Sequence, residues 1–212
     1  MRRLALYSDQ ILDITDAIDA RIGEWLAGTA GRIGYLPSSP DPERSWFQAQ
    51  SAYYTRLGFS LSYFGLEEEF DPSHLGDLLA CHAIHMTGGN TFQFLYWLRE
   101  RGMLPVLQDY SAAGGVLIGV SAGAILMTPE IGTSLLCGDV PYRGIDGGPA
   151  LNLVDFAFAP HFDGSREDVK KFSHTFPGPV YAVKDGGGII VEGDQIEAIG
   201  PVEVCHRGAW LT

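Results

Sequence analysis

Val116-Leu117-Ile118-Gly119-Val120-Ser121-Ala122-Gly123-Ala124-Ile125-Leu126-Met127 is the stretch from which the rest of the chain can be placed. Its first five residues are continuously apolar, as a strand buried on both faces requires, and the residues after Ser121 read as the turn into a short helix. A serine at such a junction has its hydroxyl pushed out of the sheet, and glycines on either side let strand and helix pass closely. The next backbone N–H, that of Ala122, then points to where a tetrahedral oxyanion would form, aided by the helix N-terminus. Gly-x-Ser-x-Gly also arises by chance in a chain with 27 glycines, where Ser121 would be no more than a helix cap. The strand before it and the helix after it favour the reactive serine.

Working outward, short apolar runs bounded by Gly, Pro or Ser recur at 4–7, 32–36, 59–64, 83–86, 116–120, 156–159 and 180–183, and each reads as a strand. Stretches with helical spacing lie between them at 14–26, 42–56, 90–101, 105–112 and 165–176. Strand alternating with helix predicts an α/β fold, a mostly parallel sheet with helices on both faces. Near the C-terminus the pattern changes: residues 188–191 and 195–199 flank Glu192-Gly193-Asp194, the signature of an antiparallel hairpin. No linker or repeat divides the 212 residues, so a single domain spanning 1–212 is expected.

Bulk composition excludes several functions. A formal net charge of −12 makes the average surface repel phosphate backbones and anionic membranes, so neither nucleic acid nor membrane is an expected partner. The same field favours substrates with a positive end, such as a free peptide α-amine. After two arginines the first apolar stretch stops at Tyr7-Ser8-Asp9, too short for a secretory core or a membrane span, and a cytoplasmic protein is expected. Cys81, Cys137 and Cys205 are odd in number and form no Cys-x-x-Cys pair, so buried thiols are expected rather than disulfides or a zinc site.

In open α/β sheets functional groups gather beyond the carboxyl ends of the strands. Besides Ser121, two such ends stand out. One is His85-Met86-Thr87-Gly88-Gly89-Asn90, whose diglycine can present unhindered N–H groups to an anion before a helix capped by Asn90 or Thr91. It lacks a phosphate-loop lysine, which argues against a nucleotide. The other is Phe158-Ala159-Pro160-His161, where a histidine at a strand end can serve as the base that a serine nucleophile needs. His74, His82, His85, His174 and His206 sit in strands, in polar segments or near the C-terminus and fit that role less well. The acid that would orient the imidazole has three candidates: Asp139, Asp185, which follows the strand at 180–183, and Glu192 in the hairpin turn. An α/β-hydrolase order would select Asp139, and the order Ser121, His161, Asp185 belongs to a different architecture. Residue reasoning leaves that choice open.

Taken together, Gly88-Gly89-Asn90-Thr91-Phe92-Gln93, Arg99-Glu100-Arg101-Gly102, Gly119-Val120-Ser121-Ala122-Gly123-Ala124 and Ala150-Leu151-Asn152-Leu153 leading to Pro160-His161-Phe162 resemble the peptidase E family, the aspartyl dipeptidases among the S51 serine peptidases, with cyanophycinases as more distant relatives. The resemblance implies a fold similar to class I glutamine amidotransferases, with serine in place of their cysteine. It implies Ser121 as nucleophile, His161 as base, Gly89 and Ala122 as oxyanion-hole donors, and no cofactor or metal. The family's acid is a glutamate between a strand and a glycine, and the matching position here is Asp185, one methylene shorter. The histidine must then lie closer to the backbone, or the acid must act less directly. Asp139 and Asn90 match positions at the substrate or its supporting loop. Arg166 looks like the arginine that holds an N-terminal aspartate side chain, although the segment from His161 to Arg166 is shorter here.

The activity implied is hydrolysis of dipeptides or short peptides by a serine exopeptidase through an acyl-enzyme, with a preference for Asp-Xaa. A peptidase of other specificity, an esterase of α/β-hydrolase type and a non-catalytic anion-binding domain are the alternatives. Oligomeric state is not legible in the sequence.

Overall fold

A computed structural model describes residues 1–211. In chain order its elements are β1 (Arg3–Tyr7), α1 (Asp16–Leu26), β2 (Arg32–Leu36), α2 (Ser45–Arg56), β3 (Ser60–Tyr63), α3 (Leu75–Leu79), β4 (Ala83–Met86), α4 (Thr91–Glu100), α5 (Met103–Ala112), β5 (Val116–Val120) and α6 (Ala122–Ile125). They continue with β6 (Ala157–Ala159), α7 (Arg166–Thr175), β7 (Val180–Val183), β8 (Gly188–Glu192), β9 (Gln195–Ile199), β10 (Val202–His206) and β11 (Ala209–Leu211). Every expected strand and helix is present, with ends shifted by a few residues. Local chemistry sets the shifts: α5 begins at Met103 because Gly102 before it is left-handed, with φ +64°.

Seven strands form the main sheet in the order β3-β2-β4-β5-β1-β8-β9. β3, β2, β4, β5 and β1 run parallel, and β8 and β9 return antiparallel as the hairpin. Alternation along each strand sorts side chains to two faces. Ala5, Tyr7, Val116, Ile118 and Ile190 pack with Ile18, Ile22 and Trp25 of α1 and with Tyr53 and Tyr54 of α2. Leu4, Leu6, Leu117, Ile189 and Val191 pack on the other side with Phe92, Leu95 and Leu98 of α4 and Leu107 of α5. Helices therefore cover both faces, which is why the central strands are apolar on both sides.

The sequence does not foretell a second sheet, β11-β10-β7-β6. β6 and β7, expected as further strands of one sheet, pair with each other in parallel and take β10 and β11 as antiparallel neighbours. Its Ala157, Ala159, Val180 and Ala182 pack on Val169 of α7, and Phe156, Phe158 and Val183 join the main core. The carboxyl ends of β6 and β7 consequently face those of β1 and β5 across a boundary between sheets.

All three cysteines are free; Cys81 and Cys205 are buried and Cys137 is half-buried. No helix among the described residues is long and apolar enough to cross a membrane.

Candidate active site

Ser121 has φ +49° and ψ −107°, a backbone conformation that an L-residue adopts only when its surroundings impose it, at a cost of about 1–3 kcal/mol. Here they do. Its N–H donates to the Tyr7 carbonyl at 2.9 Å, and its own carbonyl accepts from Ala124 and Ile125 N–H at 3.0 Å each. The two glycines of the motif are steric necessities: a Cβ on Gly123 would lie 2.2 Å from the Met86 carbonyl oxygen, and one on Gly119 would lie 2.6 Å from Ala124 N. β5, α6 and the end of β4 therefore close tightly around the serine.

Ser121 Oγ lies 2.8 Å from His161 Nε2, and His161 Nδ1 lies 2.7 Å from Asp185 Oδ1. With Nδ1–H given to the carboxylate, Nε2 is left as an acceptor for the serine proton. His161 sits one residue past the proline that ends β6, in left-handed backbone with φ +54°. Phe162 N–H donates to the Val183 carbonyl at 3.0 Å, locking the His161 turn to the end of β7, just before Asp185. Of the three candidate acids, Asp185 is the one that meets His161. Asp139 Oδ2 instead accepts from Thr91 N–H at 2.8 Å, and Glu192 pairs with Arg21 at 3.1 Å and accepts from Trp25 Nε1–H at 3.2 Å.

Sequence reasoning missed Ser8. This fully buried residue accepts from His161 N–H at 2.7 Å and donates its hydroxyl proton to Asp185 Oδ1 at 2.9 Å, while its own N–H binds the Gly187 carbonyl at 3.1 Å. One side chain thereby holds the histidine backbone and the acid at a common distance, so a carboxylate as short as aspartate reaches the imidazole. The signal was available, because Ser8 is the first residue past the carboxyl end of β1.

On the far side of the serine lies the diglycine loop. A Cβ on Gly88 would stand 3.6 Å from Ser121 Cβ, and Gly89, at φ +126°, leaves room only for hydrogen, since a Cβ there would approach Ser38 Oγ to 2.2 Å. Ser38 Oγ donates to the Gly88 carbonyl at 2.5 Å, which fixes the orientation of the Gly88–Gly89 peptide. The N–H of Ala122 is one of the first-turn amides that a helix leaves unbonded. The diglycine loop thus packs against Ser121 on one side, and the N-terminus of α6 begins at Ala122 directly after it.

Two clefts open beside the site. One, of about 390 Å³, is bounded by Gly88, Gly89, Val120, Asp9, Tyr35 and the exposed Trp46. Its polar wall is a hydrogen-bonded chain: Gln50 donates to Gln10 at 2.6 Å, Gln10 to Tyr54 Oη at 3.1 Å, and Tyr54 Oη lies 3.0 Å from His85 Nδ1. Burial lowers His85 to about 3, so its ring is neutral and accepts the phenol proton. The other cleft, of about 450 Å³, lies on the His161 side, against α7 and the 3-10 turn Gly132–Cys137. Cys137 donates to the Pro160 carbonyl next to His161, but burial, reinforced by Asp139 and Asp185, pushes its thiol up to about 12 and keeps it from acting as a thiolate.

Three expected substrate contacts are engaged elsewhere. Asn90 Oδ1 caps α4 by accepting from Gln93 N–H at 2.9 Å, and Asn90 Nδ2 donates to the Val140 carbonyl at 2.9 Å. With the Asp139–Thr91 bond, these contacts clamp the loop after Cys137 onto the start of α4. Arg166, the first residue of α7, bonds to Glu203 of β10, lies 4.7 Å over the Trp210 ring and lines neither cleft.

Residues 9–199 match Peptidase family S51. Over 112 residues the chain is 37% identical to peptidase E of Escherichia coli, in strain 536 and in K12 among others, a match that covers 53% of this chain and 46% of that protein. The matched stretch thus spans about half the length of these curated relatives. Among solved structures, a Listeria monocytogenes EGD-e protein named for peptidase E superposes with a TM-score of 0.75 at 24% identity, covering 93% of this chain and 98% of that one. A peptidase from an acI-B1 Actinobacterium superposes with a TM-score of 0.75 at 15% identity, over 100% and 93% of the two chains. These likenesses in structure speak for the fold.

Proposed function

We propose, from the premise that the chain belongs to peptidase family S51, that it is a serine peptidase cleaving short peptides through an acyl-enzyme on Ser121. The observation that carries this reading is the line Ser121 Oγ, His161, Asp185, with contacts of 2.8 and 2.7 Å, set beside a diglycine loop. His161 Nε2 takes the hydroxyl proton as Ser121 Oγ attacks the peptide carbonyl. The N–H groups of Gly89 and Ala122 receive the developing oxyanion, an arrangement in which one donor contributes about 2.7–4 kcal/mol. His161 returns the proton to the departing amine. Water, deprotonated by the same imidazole, then releases the acyl group.

These roles assign the clefts. The leaving amine must sit where His161 can protonate it, so its residue occupies the cleft against α7. The acyl residue lies on the opposite side, in the cleft bounded by Gly88 and Val120. Restriction to dipeptides or short peptides as an exopeptidase, and the Asp-Xaa preference, come from the family resemblance. An aspartate side chain needs a cation, and the resemblance offers Arg166, which would have to leave Glu203 to supply it.

The test is a panel of Asp-Xaa dipeptides, other dipeptides, N-blocked peptides and simple esters, assayed with wild-type protein and Ser121→Ala, alongside labelling by a fluorophosphonate. Turnover and labelling confined to protein with Ser121 are expected. Equal turnover by the Ser121→Ala protein refutes the nucleophile, and turnover of esters alone replaces peptidase by esterase.

A further inference from the structure

The acyl-side cleft contains a charge that the mechanism above does not use. Asp9 follows Ser8 out of β1, and because Ser121 N–H is bonded to the Tyr7 carbonyl, Asp9 stands two residues along from the nucleophile's own backbone anchor. It lines the cleft together with Gly88, Gly89 and Val120. Its carboxylate accepts from Gln10 N–H at 2.8 Å and forms no ion pair with any lysine or arginine among the described residues. No lysine or arginine among the described residues lines this cleft, and His85 in its wall is neutral. A half-buried carboxylate without a counter-ion is costly, because burial weakens its hydration and one backbone N–H replaces only part of it. Burial indeed raises the Asp9 carboxyl above the usual carboxylate range, with Asp185 nearby adding to the rise and the Gln10 N–H and His161 opposing it.

We propose that Asp9 is the seat for an ammonium group on the acyl-side residue of the substrate. This rests on the reading of the cleft as the acyl side of a Ser121 peptidase. The chain thereby selects peptides that carry positive charge at or on the residue N-terminal to the cut bond. Two sources share that chemistry. An α-ammonium lies two bonds from the carbonyl under attack, close to the nucleophile, and its capture would make the enzyme act at a free N-terminus. A lysine side chain would reach farther along the cleft, past Tyr35 and Trp46. The net charge of −12 assists either approach.

The test measures binding on the Ser121→Ala protein, so that its outcome does not depend on turnover. Calorimetry compares Ala-Ala with N-acetyl-Ala-Ala, and N-acetyl-Lys-Ala with N-acetyl-norleucine-Ala. At least one charged peptide should bind about 10-fold more tightly than its uncharged partner, as a charge-assisted hydrogen bond provides. Adding Asp9→Asn, which keeps the size of the side chain and an acceptor for Gln10 N–H, should cut that ratio to below about threefold. The first pair responding identifies the α-ammonium, and the second pair the side chain. Ratios near one in both pairs, a ratio that survives Asp9→Asn, or no binding by any of the four peptides overturns the proposal. Turnover by wild-type protein without a charge ratio removes Asp9 from recognition and leaves the peptidase reading standing. A charge ratio without turnover or labelling does the reverse.

Discussion

Ser8→Ala removes one hydroxyl that serves two partners of the proposed mechanism at once, accepting from His161 N–H at 2.7 Å and donating to Asp185 Oδ1 at 2.9 Å. A hydrogen bond to a charged group contributes about 1.5–3 kcal/mol. The Asp185 side chain is 49% exposed, so water can replace part of what is lost, and the lower figure of about 1.5 kcal/mol applies. Ser8 steadies the ion pair that forms when His161 takes the proton, so the loss should fall on the transition state, at roughly 10-fold in rate. The assay is the second-order rate of Ser121 labelling by a fluorophosphonate, which reads the nucleophile without a known substrate. Thermal unfolding is followed in parallel, since the unpaired His161 N–H should also lower stability by about 1–3 kcal/mol. Because Ser8 works through Asp185, adding Ser8→Ala to Asp185→Ala should slow labelling by less than about threefold more, a non-additivity expected of residues that share a partner. An unchanged labelling rate in folded Ser8→Ala protein, or full additivity with Asp185→Ala, would refute the reasoning.

Other consequences follow from the same geometry. Asp185→Asn presents an amide to His161 Nδ1 and favours the wrong tautomer, so labelling should fall by up to about 10⁴-fold, as in other triads. Asp139→Asn weakens the bond to Thr91 N–H and should cost about 0.5–2 kcal/mol of stability, with a far smaller effect on labelling; the opposite ranking would restore Asp139 as the triad acid. Arg166→Ala should leave the ratio of kcat/KM for Asp-Ala over Ala-Ala unchanged, since the guanidinium is held by Glu203, and a collapse of that ratio would make Arg166 the aspartate ligand. His85, buried and lowered to about 3, binds a proton more readily unfolded than folded, so its contribution to stability is present above about pH 6.5 and is lost as acid approaches the folded value. From pH 7 to 4.5 wild-type protein should lose about 2–3 kcal/mol relative to His85→Gln. The comparison with that variant cancels Asp19, whose raised carboxyl acts with the opposite sign near its own range, and parallel stability curves would show that His85 is not neutral.

The strand-turn-helix around Ser121 was legible because it combines an apolar run buried on both faces with two glycines that nothing larger can replace. The same logic located β6 with His161 and β7 with Asp185. It could not say which sheet they join, since a short parallel strand such as Ala157–Ala159 is apolar whatever its neighbours. β10 and β11 escaped notice because they are half-exposed and carry polar residues such as Glu203 and His206. Asn90 as the cap of α4 was legible from its place before the helix and is what the structure shows, whereas the resemblance also sets Asn90 and Asp139 toward the substrate; Asp139 instead reaches across from a distant loop to the free Thr91 N–H of the same helix start. Ser8 and Asp9 read only as the point where the first apolar stretch stops, and the importance of Ser8 depends on partners more than 150 residues away in sequence.

That long separation explains how aspartate can stand where a longer acid would be expected. Ser121 belongs to the main sheet and His161 and Asp185 to the small one, so the geometry between them depends on what joins the two sheets. The end of β1 supplies the joint: the Tyr7 carbonyl holds Ser121 N–H, Ser8 N–H holds the Gly187 carbonyl beyond β7, and the Ser8 hydroxyl holds both His161 and Asp185. A glutamate could span from the β7 end to the imidazole unaided. An aspartate, one methylene shorter, needs the histidine backbone close by, and the Ser8 bond to His161 N–H, with the left-handed turn at that residue, holds it there. On this argument Ser8 and the shortened acid form a compensating pair: Asp185→Glu alone should disturb the site, and a serine-to-alanine change at position 8 should be tolerated better with glutamate at 185 than with aspartate.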